Sequence, residues 1–119
     1  MILEMHDSTS IDDLQEKFSG FYSNLRLAFF KGPHGRFEES DENSILPPDS
    51  KLGDIRKNHE HGEWEIHSYM KSGDLEQIFK KRYGLNVQVL FKDGLEWKQT
   101  ADLDHLSLQE LNELGLQGK

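Results

Sequence analysis

The sequence predicts an α+β fold, a two-layer sandwich in which helices cover one face of a sheet that contains at least one antiparallel strand pair. A strand–helix–strand pattern occurs twice along the chain. The strands alternate polar and apolar residues, which indicates that one sheet face is exposed. Asp93-Gly94 lies between two alternating segments and is a strong hairpin signal. These observations favour a duplicated β-α-β unit of the ferredoxin-like, split βαβ type, with an added hairpin strand and a C-terminal helix. A small mixed α/β sheet is the alternative.

The composition is that of one soluble globular domain, spanning residues 1–119. The chain has no cysteine, which excludes a disulfide framework, a thiolate zinc site and a cysteine nucleophile. Its net charge of -8 argues against nucleic-acid binding, because each phosphate contact needs a local positive charge. No apolar run is long enough to span a membrane, and the first residues lack the basic start of a secretory signal. We therefore expect a cytoplasmic protein that binds neither nucleic acid nor membrane.

The two halves of the chain resemble each other. When residue 3 is aligned with residue 64, Phe18 lies over Phe79 and several other residues coincide. The repeated segments are 2–31 and 63–92. Between them, residues 32–51 contain all three prolines and an acidic cluster, which predicts a mobile loop.

Apolar side chains at helical spacing predict the first helix over residues 11–22. Thr9 and Ser10 can supply the hydroxyl that caps its first turn. A capping box predicts the last helix, because Ser107 and Glu110 can satisfy each other's main-chain N–H groups.

The second helix is predicted over residues 74–83, with Ser72 as its cap and Gly84 at its end. A short helix is predicted near residues 53–58. Both interpretations depend on local sequence alone.

Polar–apolar alternation predicts the strands. It is clearest at 25–29, 87–91 and 95–100 and weaker at 2–6 and 63–68.

The second half resembles a family of small bacterial proteins with the pattern LEQxF…GLxVQVxxKxGxxWxxT. The matching residues are Leu75, Glu76, Gln77, Phe79, Gly84, Leu85, Val87, Gln88, Val89, Lys92, Gly94, Trp97 and Thr100. We know no activity for this family, so the resemblance implies no catalytic residue and no cofactor.

Histidines near the middle of the chain are the weak candidates for a metal site. His59 and His61 flank a glutamate, and His67 follows in the next predicted strand. Residues at i and i+2 point apart on a helix, so a solvated turn is the favoured interpretation. Glu63 and Glu65 share one face of a predicted strand, where a polar sheet face is favoured over a pair of catalytic carboxylates.

No catalytic constellation is assembled in the sequence, which favours a non-enzymatic module that binds another protein. We expect the protein to be a monomer at micromolar concentration, and we expect a protein partner to dock on the open sheet face or on the sheet edge. The predicted interaction residues are Gln88, Leu90, Glu96 and Lys98. The alternative is a metal-dependent or small-molecule-processing protein that uses the region of His59, His61 and His67.

Both tryptophans lie in predicted strands, and core packing is the favoured interpretation for Trp64 and for Trp97. An exposed Trp97 would mean that the two sheet faces were assigned the wrong way round.

Overall fold

The computed structural model describes residues 1–31, 45–56, 59–100, 103 and 105–117. Its elements, in chain order, are β1 (Ile2–Met5), α1 (Ile11–Phe21), β2 (Leu25–Phe30), α2 (Leu52–Ile55), β3 (Gly62–Glu65), α3 (Ser72–Tyr83), β4 (Asn86–Asp93), β5 (Glu96–Gln99) and α4 (Leu108–Gln117).

The strands form two antiparallel sheets, β1-β3 and β2-β4-β5. This arrangement confirms the α+β class. It does not confirm the ferredoxin-like arrangement, in which all the repeated strands would share one sheet. Instead, each β-α-β unit contributes one strand to each sheet and pairs with the other unit. Polar–apolar alternation indicates which face of a strand is buried, but it does not indicate which other strand lies next to it in the sheet.

The core lies between the two sheets and the helices. The ring of Phe79 on α3 lies 4.8 Å from the ring of Trp64 on β3 and 5.9 Å from that of Phe29 on β2, so it links both sheets. The largest fully buried side chains of the core include Leu3, Met5, Ile11, Leu14, Phe18, Leu25, Leu27, Phe29, Leu52, Ile66, Phe79 and Tyr83.

The capping predictions are confirmed at three of the four predicted positions. Ser10 caps α1 in a capping box with Asp13, and Ser107 bonds reciprocally with Glu110 before α4. Gly84 ends α3 in the left-handed region, with φ 68°. The N-cap of α3 is Lys71, whereas Ser72 is a buried first residue of the helix.

Equivalent main-chain bonds close the turn before the long helix of each half. The amide of Leu52 donates to the carbonyl of Thr9 at 2.9 Å, and the amide of Leu108 donates to that of Met70, also at 2.9 Å. Each turn is therefore held by the first residue of a later helix, α2 or α4. These bonds make Thr9 and Met70 structurally corresponding positions.

The described end of the predicted mobile loop is bonded to the fold. Leu46 donates to the carbonyl of Phe29 at 2.8 Å, and Ile11 donates to that of Ser50 at 3.0 Å. Residues 45–51 thus attach to β2 and α1. The rest of that prediction, residues 32–44, falls outside the described residues.

Candidate functional site

The four predicted interaction residues do not share one sheet face. Asp93 pairs with Glu96, so the β4–β5 turn contains two residues. A two-residue turn pairs an odd-numbered residue of one strand with an even-numbered residue of the other, and paired residues point to the same face of the sheet. Leu90 pairs with Gln99 and shares its face, whereas Glu96 and Lys98 point to the opposite face. The predicted face was wrong because the alternation of each strand was assigned without this register.

Gln88 is also not available at the surface, because its side chain is fully buried. Its amide donates to the hydroxyl of Thr100 at 3.1 Å, and that hydroxyl donates to the carbonyl of Val89 at 2.9 Å. Lys98 is exposed on the opposite face, where it forms an ion pair with Asp93 at 2.6 Å. The bond to Asp93 raises the pKa of Lys98.

The register instead assembles a different surface, which we call the Trp97 face. Lys92 lies opposite Trp97, and Arg26 and Gln99 lie on either side of Leu90. The side chain of Trp97 is 38% exposed, which corrects the expectation that it packs in the core, whereas Trp64 is buried as expected. The face thus combines two cations with an accessible aromatic ring.

A second candidate, the Asp7 cluster, consists of Asp7, Arg56, His59 and His61. The Nδ1 atom of His59 lies 3.0 Å from both carboxylate oxygens of Asp7, and Nε2 of His61 lies 3.5 Å from Oδ2. The turn after β1, the segment after α2 and the segment before β3 bring these residues together. The polar–apolar alternation of the strands does not predict the Asp7 cluster, because Asp7 is distant from His59 and His61 in the sequence.

Arg56 contacts Asp7 from the buried side of the Asp7 cluster. Its side chain is fully buried, and it donates to Oδ1 of Asp7 at 3.0 Å and to the carbonyl of Tyr83 at 3.4 Å. The hydrogen bond from His59 lowers the pKa of Asp7, desolvation opposes this change, and the bond from Arg56 adds to it. The hydrogen bonds from His59 and Arg56 therefore stabilise the charged form of the Asp7 side chain.

His67 lies outside the Asp7 cluster, and its ring is stacked on that of Tyr69 at 5.1 Å. The structure thus brings together two of the three predicted candidates. Within the described residues, no group of three or more His, Asp or Glu side chains is placed to hold a metal ion.

A groove of about 470 Å³ lies beside α3. Trp64 of β3 forms one wall, and side chains from the solvent side of α3 form the rest. The lining residues are Trp64, Asp74, Gln77, Ile78, Lys81 and Arg82. Arg82 also donates to Glu60 at 2.8 Å. The groove is within the size range of small-molecule sites.

Comparisons with protein-family models, curated proteins and solved structures found no match. The family resemblance therefore remains a prediction. Among the described residues, no helix is long and apolar enough to cross a membrane.

Acid is expected to destabilise the protein through Asp7, Asp13 and Glu110. Hydrogen bonds lower the pKa of each carboxyl in the folded state, from His59, Ser10 and Ser107 respectively. A lowered folded-state pKa adds stability that is complete above the unfolded-state pKa, near 3.8 for Asp and 4.5 for Glu, and is lost as the pH falls through the folded value.

The variant Asp13→Asn should therefore melt below the wild type at pH 7, with a smaller difference at pH 3. Thermal unfolding followed by circular dichroism at both pH values measures this. An equal difference at the two pH values would contradict the role of the carboxylate charge.

Proposed function

We propose that this chain is a non-enzymatic interaction module that binds an acidic surface of another protein through the Trp97 face. The observation that carries the proposal is the accessible Trp97 ring lying opposite Lys92 in a chain of net charge -8. Tryptophan and arginine are enriched among residues that dominate binding energy.

The charge of the Trp97 face supports an acidic partner. Alternation along β2, β4 and β5 directs Arg26 and Lys92 to this face and no carboxylate. Neither cation forms an ion pair within the described part of the chain. Two cations are few for a phosphate backbone, where every contact needs its own charge, so protein carboxylates are the proposed partner groups.

The size of the Trp97 face supports a modest, reversible contact. The face consists of five residues, of which Leu90, Lys92 and Gln99 are half-buried. It covers only part of the roughly 800 Å² that each partner buries in a standard interface. We therefore expect the protein to be a monomer at micromolar concentration, with no dimer depending on Trp97.

The proposal is tested with two variants, Trp97→Ala and the double charge reversal Arg26→Glu with Lys92→Glu. The matched control is Phe21→Ala, which removes a 57% exposed ring from α1. Immobilised wild type and control should retain a partner from an extract of the source organism, and both face variants should lose it. Purified partner then serves for calorimetry.

Unchanged binding by both face variants, with native circular dichroism spectra, would refute the Trp97 face as the binding surface.

Sedimentation velocity tests the prediction that the protein is a monomer. A tight homodimer that Trp97→Ala dissociates would make a second copy the partner instead.

The alternative function, a metal-dependent or small-molecule-processing protein, has one supporting observation. His59 and His61 both contact the carboxylate of Asp7, so two of the three predicted histidines lie beside one acidic side chain. Titration with Zn²⁺, followed by NMR of the imidazoles, tests it. Saturable shifts of His59 and His61 at one equivalent, without a shift of His67, would support this alternative.

A further inference from the structure

We propose that the outer edge of β3 receives an extended segment of a partner protein, which adds to the β1-β3 sheet as a third strand. The segment alternates basic residues with apolar or acidic ones. This site lies on the other sheet from the Trp97 face and does not depend on it.

The hydrogen bonds of the β1-β3 sheet identify the open main-chain groups. Met1 and Ile66 exchange both bonds, at 2.9 and 2.7 Å. Because main-chain groups alternate in direction along a strand, Trp64 also points towards β1, whereas Glu63 and Glu65 point away. No strand in the described part of the chain pairs with this outer edge of β3.

The outer edge of β1 is partly closed. The hydroxyl of Thr9 donates to the carbonyl of Glu4 at 3.2 Å. The position that corresponds to Thr9 in the second half is Met70, which has no hydroxyl to donate to β3. The cavity beside β1, which includes Glu4 and Thr9, measures about 150 Å³. The edge of β3 is thus the more open one.

The groove beside α3 provides space for the side chains of an added strand. It runs between Trp64 of β3 and the solvent side of α3, and Ile78 adds a second apolar wall. Every second residue of an extended segment on β3 would project into this groove, as in other cases of strand addition. Main-chain bonds to Glu63 and Glu65 would supply affinity, and the groove would supply selectivity.

The two faces of the β1-β3 sheet select opposite charges. On the groove side, the two cations Lys81 and Arg82 outnumber the single carboxylate of Asp74, and the exposed Lys81 forms no ion pair within the described residues, which favours an acidic or apolar residue. On the other side, Glu4 lies directly opposite Glu63, and Glu65 is also exposed. Like charges placed opposite each other are destabilising, so basic residues of the partner would relieve this repulsion.

The probe is the capped peptide Thr-Lys-Val-Lys-Glu-Lys-Thr, whose lysines alternate with valine and glutamate. Two controls keep its charge. One carries N-methyl groups on the valine and glutamate, and the other carries them on the three lysines. In an added strand only alternate N–H groups face β3, so one methylated peptide should bind and the other should not.

NMR titration of the full chain gives the affinity and the site. Binding should slow hydrogen exchange of the Glu63 and Glu65 amides and leave that of Glu4 unchanged. Lys81→Glu should weaken binding by about two- to fivefold, in the range of an exposed ion pair, whereas Lys17→Glu on α1 should not.

Absence of binding at millimolar peptide would overturn the proposal. Equal binding of both methylated peptides would also overturn it, because it would show only attraction between a basic peptide and an acidic chain. Trp97→Ala should leave peptide binding unchanged, so failure at β3 is distinguishable from failure of the Trp97 face.

Discussion

Phe79→Ala is expected to lower the free energy of unfolding by about 3–5 kcal/mol. The ring is fully buried and contacts Trp64 of one sheet and Phe29 of the other. Its removal leaves a cavity where the two sheets and α3 meet, and rigid sheet backbones limit how far the cavity can collapse. Urea unfolding at pH 7 measures the loss.

Phe18→Ala is expected to cost a similar amount, about 3–5 kcal/mol, because Phe18 is also fully buried, on α1. The control is Phe21→Ala on the same helix, whose exposed ring predicts a change within about 0.5 kcal/mol. A loss below about 1 kcal/mol for both buried positions would contradict the prediction that the two halves have equivalent cores.

The second large effect is expected at Glu76, a buried glutamate of α3. Its carboxylate accepts a hydrogen bond from the main-chain N–H of Val89 at 2.8 Å. β5 pairs with β4 only from Leu90 to Asp93, so at Val89 this side chain takes the place of a neighbouring strand. Glu76→Ala leaves the buried N–H without this acceptor and should cost about 1–3 kcal/mol.

The conservative variant Glu76→Gln separates the hydrogen bond from the bulk of the side chain. The amide oxygen can still accept from Val89, so this variant should retain more of the stability than Glu76→Ala. Hydrogen exchange of the Val89 amide provides a local measurement. If both variants lose the same stability and the Val89 amide remains as protected from hydrogen exchange as in the wild type, the hydrogen bond has no stabilising role.

Local signals in the sequence were sufficient wherever the interacting residues are close in the chain. Ser10 as the cap of α1, Ser107 with Glu110, and Gly84 at the end of α3 are all recognisable from the sequence because a cap joins residues within one helical turn. Ser72 is the exception. Lys71, one residue earlier, is in an extended bridge with Ser107, and this distant pairing moves the helix start.

Register was the point at which local reasoning failed for the candidate site. Polar–apolar alternation indicates which residues of β4 share a face and which residues of β5 do, but it does not give the alignment of the two strands, and the prediction that Trp97 lies in the core is therefore wrong. A two-residue turn after Asp93 sets Trp97 opposite Lys92. The Asp93-Gly94 signal itself contained this information, because any two-residue turn pairs an odd with an even position.

The sequence by itself determined the α+β class, three of the four predicted helix-end residues, the hairpin and the central position of residues such as Phe18 and Phe79. These depend on spacing and side-chain chemistry within a few residues. Only the tertiary structure decided that the two β-α-β units pair strand by strand across two sheets, that Asp7 meets His59 and His61, and that no strand of the described residues pairs with the outer edge of β3. Those features depend on contacts between distant segments, and their free energy comes from burying both units' apolar faces together, which no local pattern encodes.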